Sequence, residues 1–230
     1  MAPLRIFSGG APQPIFKELT PAFERQSGHK VDYVYAVMSA LREKIAAGDM
    51  PDVLVMPTNL LDGYQKDGVV RAQGRAALGL VGIYAVVRKG AAKPDLSTPD
   101  AVKQAMLKAR AVAFATPGET PSGTHMGKLV ETLGVAETMK GRIFHRSALR
   151  GGVELVASGE AEIGFYPKSE VINDKLSLVG PLPPPIQLTT IYGAGATAKS
   201  AVPEAGAAFI AFMSDAKHRM VWSEGGFDPP

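Results

Sequence analysis

The chain has 230 residues, 46% hydrophobic and 20% charged, a composition that suits a globular protein of one large or two small domains and excludes a disordered one. Its formal charge of +3 comes from 25 Lys and Arg spread without a dense block, so a small anion is a better partner than nucleic acid. With no cysteine there are no disulfides, thiolate metal sites or thiol catalysis, and no run approaches the roughly 18 apolar residues of a membrane span, so membrane insertion is not expected.

The opening "LRIFSGG" reads as a short buried strand ending in glycines. "QPIFKELTPAFERQSG" follows as a helix with Ile15, Phe16, Leu19 and Phe23 on one face and Gly28 as its stop. "KVDYVYAV" alternates like a strand, "SALREKIAAGD" is a short helix with Ser39 expected as its N-cap, and "PDVLVMP" is another buried strand. This βαβαβ rhythm predicts a parallel sheet. "NLLDGYQKDG" makes the next helix, and Leu78–Gly90 is a strand long enough to cross from one lobe to another.

A second unit repeats the design. Thr98, followed by Pro99 and Asp100, opens a helix. "AVAFATPGETPSGTHMGKLVETLG" then gives a strand, a Gly/Pro/Ser/Thr loop and a helix. "GGVELVASG" is a helix stopped by Gly159, and residues 161–166 form a strand. "GPLPPPI", residues 180–186, reads as a rigid connector. "LTTIYGAGATAK" returns to the first lobe, and the remainder makes the terminal helices. The expected lobes are 1–80 with 191–230, and 81–190.

Two strand-to-helix loops, "SGGAP" at residues 8–12 and "TPSGTH" at residues 120–125, occupy matching places in the two units. A helix N-terminus offers unsatisfied N–H donors, and glycine admits an anion close to the backbone. Ser8, Gly9, Gly10, Ser39, Ser122, Gly123 and Thr124 are therefore candidate ligand contacts, at the carboxyl ends of the strands. Tight turns alone would also use these residue types. Arg146, beside Ser147, could hold a carboxylate through a bidentate fork or stand as a solvated charge. Met38 and Tyr166 read as core or pocket lining. "GAGATAKS" lacks the second glycine of a P-loop, which argues against nucleotide binding. The four histidines have no metal-ligand spacing, so neither a metal nor a cofactor is expected.

"FSGGAPQPIFKELTPAFERQSGHKV", "SALREKIAAGDMPDVLV", "VASGEAEIGFYPKSEV" and the closing "GGFDPP" resemble the molybdate-type periplasmic substrate-binding proteins of ABC transporters over nearly the whole chain. The resemblance implies an α/β, two-lobed type II periplasmic-binding-protein fold with two crossing strands and a ligand cleft between the lobes. It also implies a monomer that hands a small anion to an ABC permease. "MAPLRIF" does not read as a secretory leader, and a periplasmic location is what the resemblance implies.

Position by position, the resemblance argues against molybdate itself. Where the family has ligand-contacting serines, this chain has Ala11 and Met38, and the family's ligand tyrosine aligns with Pro167, with Tyr166 one residue early. A small organic di- or tricarboxylate is expected instead. The family is similar to the aconitate isomerases too, so an isomerase acting on such a tricarboxylate is the alternative, with His125, His145 or Lys168 as candidate bases.

Overall fold

The computed structural model describes residues 3–230, which form two compact α/β units. Unit 1 takes the chain up to Val81 and again from Thr190 to Pro230; unit 2 takes Gly82–Thr189. In unit 1, β1 (Leu4–Ser8), α1 (Gln13–Ser27), β2 (Val31–Tyr35), α2 (Met38–Ala46), β3 (Val53–Pro57) and α3 (Thr58–Lys66) follow one another. β1 lies between β2 and β3 and is parallel to both. The long strand β4 (Ala76–Arg88) then carries the chain from unit 1 into unit 2.

Unit 2 continues with α4 (Pro99–Lys108), β5 (Val112–Phe114), α5 (Pro121–Thr132), the single turn α6 (Ala136–Met139), β6 (Ile143–His145), α7 (Gly152–Ser158), β7 (Ile163–Pro167) and β8 (Leu176–Pro181). Here β5 lies between β6 and β7, again parallel to both. The return strand β9 (Thr189–Ala196) pairs antiparallel with β3, and α8 (Pro203–Ser214) and α9 (Arg219–Glu224) complete unit 1. In unit 2, β4 plays the same part, antiparallel to β7. Both units therefore share one pattern, in which a central first strand is flanked by the second and third and an antiparallel strand lies beyond the third.

This pattern follows from the apolar runs. Strands with helices on both faces are buried on both sides, so they read as continuous hydrophobic segments. In β1, Leu4 and Ile6 face a core that includes Phe16 and Phe23 of α1 and Phe209 of α8, while Phe7 faces Met38 and Leu41 of α2. In unit 2, Val112 and Phe114 pack with Val102, Met106 and Met126, and Ala113 packs on the other side with Val153, Val156 and Tyr166.

The punctuation largely falls where the residues predict. Gly28 ends α1 in the left-handed conformation, φ 73°, and donates its N–H to the Glu24 carbonyl. Thr98 caps α4 by accepting from the Ala101 N–H at 3.1 Å. Three elements differ. Val37 holds the N-cap position of α2 with extended backbone, which puts Ser39 inside the first turn and not at the cap. β7 starts at Ile163, because Gly159 to Glu162 serve as the turn out of α7. Gly180 and Pro181 end β8, paired antiparallel on β4, so the rigid connector begins only after them; a proline is tolerated there because it terminates the strand.

Candidate functional site

In each unit the strand order reverses direction around the central strand, and ligand crevices in α/β sheets open at such switch points, outside the carboxyl ends of the strands. In unit 1 that position holds Ser8–Pro12 after β1 and Ala36–Met38 after β2. In unit 2 it holds Ala115–Thr120 with the start of α5, and Arg146–Gly152 after β6.

The unit 1 loop is buried throughout, and several of its donors are already used. The Ser8 hydroxyl, fully buried, donates to the Gly9 carbonyl at 2.9 Å, and the Gly9 N–H donates to the Val55 carbonyl at 3.3 Å. The N–H groups of Gly10 and Ala11 have no protein partner among the described residues, and Pro12 has no N–H to satisfy. The Ala11 methyl joins the apolar core of unit 1. A Cβ on Gly9 would stand 2.7 Å from the Met38 methyl and 3.1 Å from the Tyr192 hydroxyl, so this glycine is required by a close approach of two side chains. Tyr192 belongs to this loop's surroundings, although in the sequence it reads only as one residue of a return strand. Ser39 points elsewhere and lines a hollow of about 560 Å³ with Arg42 and Tyr64.

In unit 2, Thr120 caps α5 by accepting from the Gly123 N–H at 3.0 Å, and its hydroxyl is 3.2 Å from that of buried Ser122. Thr124 accepts from the Gly118 N–H at 2.9 Å, closing the loop on itself. A Cβ on Gly123 would be 2.5 Å from the carbonyl oxygens of both Ala115 and Thr116. This glycine therefore serves the packing of helix against loop, and it gives no extra room to a ligand. The Ser122 N–H, following Pro121, has no partner among the described residues and remains a free donor.

Sequence reasoning passed over the sharpest feature of this half, Ser147. It is 3% exposed, and its hydroxyl has no hydrogen-bond partner among the described residues. Ser169, also 3% exposed, is the same. Buried hydroxyls are nearly always paired, so two unpaired ones at the carboxyl ends of β6 and β7 mark places where a partner is missing. The pointer available in the sequence was the "HRSALRGG" turn, where Ser147 stood beside the more conspicuous Arg146. Arg146 is exposed and forms no ion pair among the described residues. Tyr166 is fully buried, and its hydroxyl donates to the Arg146 carbonyl at 3.2 Å, which fixes the loop that carries Ser147. Burial pushes its phenol far up, so it stays neutral.

The three candidate bases stand on different elements. His125, in α5, holds its Nε2 2.8 Å from the Ile186 carbonyl; a carbonyl only accepts, so Nε2 carries the proton and Nδ1 alone is left as a base. His145 ends the strand β6 and packs edge-on against Phe114, and partial desolvation of its ring pushes its pKa down. Lys168 sits with its ammonium 5.7 Å from the Tyr84 ring centre. Two residues further on, burial pushes the Glu170 carboxyl up to about 7, a value suited to a proton acceptor at neutral pH. No group of three or more His, Asp or Glu among the described residues is placed to hold a metal ion.

The chain matches the sequence profile of the bacterial extracellular solute-binding proteins over residues 4–228. An aconitate isomerase from Pseudomonas sp is 30% identical over 98% of this chain and 87% of that protein. The molybdate-binding protein ModA of Rhodobacter capsulatus is 28% identical over 68% of this chain and 60% of its own length. Among solved structures, the periplasmic molybdate-binding protein of Azotobacter vinelandii superposes with a TM-score of 0.81 at 19% identity, over 99% of both chains. No helix among the described residues is long and apolar enough to cross a membrane. The chain belongs to the bacterial extracellular solute-binding protein family, with the two-lobed type II fold of the periplasmic binding proteins.

Proposed function

We propose that the protein captures a small organic di- or tricarboxylate for an ABC permease outside the cytoplasm, with donors at the switch-point loops. The observation that carries this reading is the buried, unpartnered hydroxyl of Ser147 beyond β6, the strand beside the one that leads into the free Ser122 N–H. The Gly10 and Ala11 N–H groups are the corresponding free donors of unit 1, and in unit 2 Arg146 supplies a positive charge for a further carboxylate. Against a bare tetrahedral oxyanion stand Ala11, Met38 and Pro167, none of which has a hydroxyl to give. The Met38 thioether, packed on Gly9, suits a ligand with a carbon skeleton better than a fully hydrated oxyanion.

A second reading is favoured by the aconitate isomerase relative, which is similar over nearly the whole chain. In that reading the captured tricarboxylate is also isomerised, and the base is Glu170 or the Nδ1 of His125.

A thermal-shift panel of citrate, cis- and trans-aconitate, malate, succinate, molybdate, tungstate, sulfate and phosphate tests the first reading. A ligand at a hundred times its Kd adds about 2.7 kcal/mol. Stabilisation by a carboxylate is the expected outcome; stabilisation by molybdate or tungstate alone overturns it. Ser147→Ala is expected to weaken the carboxylate about tenfold while leaving the ligand-free protein as stable or slightly more so, since it removes an unpaired buried hydroxyl. Following cis-aconitate by proton NMR then separates capture from isomerisation by whether the trans isomer accumulates.

A further inference from the structure

At the other end of the unit 2 sheet, away from the carboxyl ends of β5 and β7, a hollow of about 500 Å³ opens among the end of β4, the end of α4 and the start of β7. The hollow opens to the surface, where Arg88, Ala91, Ala92 and Lys93 are exposed, and its depth has to come from the residues around it. It comes from alanine. Ala91, Ala92, Ala105, Ala109 and Ala161 line the hollow where larger side chains would fill it, and Val87 and Ile163 complete an apolar floor. Around the rim stand Arg88, Lys93, Lys108 and Arg110, with Glu162 as the only acidic residue in the lining. Glu162 is engaged by Arg110 through both its backbone N–H and its guanidinium. Arg88, Lys93 and Lys108 pair with no carboxylate among the described residues. Three uncompensated cations over an apolar floor would focus a positive potential on the hollow.

We propose that this hollow is a second binding site, for a small organic anion with an apolar body, its charged group at the Arg88, Lys93 and Lys108 rim and its hydrocarbon against the alanine floor. The site is independent of the switch-point loops, since none of its lining residues belongs to them. A ligand there would be larger and less polar than the carboxylates proposed above, because hydrophobic burial and not a set of fixed donors holds it.

The test is an amide NMR titration of the isotope-labelled protein with 1-naphthalenesulfonate, using methanesulfonate as an anion without the apolar body. The expected result is saturable shifts confined to the segments 88–94, 105–110 and 158–163 that line the hollow, and much weaker binding of methanesulfonate. The double variant Lys93→Glu/Lys108→Glu, with both changes on the surface, should weaken the naphthalenesulfonate about tenfold. Ala109→Leu, which fills the floor, should abolish binding while the remaining amide spectrum stays folded. Shifts concentrated at Gly10, Ala11 or Ser147, a titration that never saturates, equal affinity for methanesulfonate, or a charge-reversed variant that binds unchanged would each overturn the proposal.

Discussion

Gly152→Ala is expected to destabilise unit 2 by about 3 kcal/mol and to abolish carboxylate stabilisation together with it. Gly152 is the first residue of α7, and a Cβ there would lie 2.2 Å from the Arg146 carbonyl oxygen, 2.9 Å from that of Ser147 and 2.6 Å from the Tyr166 hydroxyl. Two of these three are backbone atoms, which cannot swing aside as a flexible side-chain end can. The Gly152 N–H also donates to the Ser147 carbonyl at 2.9 Å, so the methyl would push apart the turn it helps to close. The measurement is urea unfolding followed by the thermal-shift panel, with Gly180→Ala as control, because a Cβ at Gly180 meets nothing within 4 Å. If Gly152→Ala and Gly180→Ala behave alike, the tight fit of α7 against the Ser147 loop is not what holds that loop in place.

The second large effect is on pH dependence. Burial raises the Glu170 carboxyl from its ordinary value near 4.5 to about 7, which means that the folded chain holds this proton more tightly than the unfolded one. Below about pH 4.5 both states are protonated and the group costs nothing. As pH rises from there to about 7 the unfolded chain ionises first, and the folded state falls behind until both are ionised. Because the residue as a whole is only half-buried, the full shift is discounted, and the penalty above pH 7 is expected to be about 2 to 3 kcal/mol. Glu170→Gln, which mimics the protonated acid, should match the parent at pH 4 and exceed it by that amount at pH 8 in urea unfolding. A constant difference between the two proteins from pH 4 to pH 8 would show that the carboxyl does not titrate in this range.

The βα rhythm, the crossing run and the helix stops were legible because they rest on local chemistry: apolar runs such as "VLVMP", a glycine at Gly28 or Gly159, a threonine before a proline at Thr98. Ser39 read as a cap because serine is a good one, yet the backbone of Val37 took that position, a choice made by packing Met38 and Leu41 beneath β1. The donors were harder to read than the loops. Whether a hydroxyl in a Gly/Ser loop is spent or free depends on which acceptor the fold brings near it. Ser8 has the Gly9 carbonyl and Ser147 has no partner among the described residues, and no spacing along the chain distinguishes them. Tyr166 stood out as an aromatic next to the expected ligand position, but complete burial turned it into the support of Arg146. Glu170 gave no sign in the sequence because its altered acidity arises only from being covered.

The division of the chain also fixes an order of events during synthesis. Unit 2 is one uninterrupted stretch, and all its strand pairings are available as soon as Thr189 has emerged. Unit 1 is not: β3 waits for β9, Val53 for Ala196, and the core around Phe16 and Phe23 lacks Phe209 and Trp222 until the last helices are made. A nascent chain stalled near residue 189 would therefore carry a finished second half and a first half with its apolar face bare, the kind of surface that chaperones hold and that aggregates when they do not.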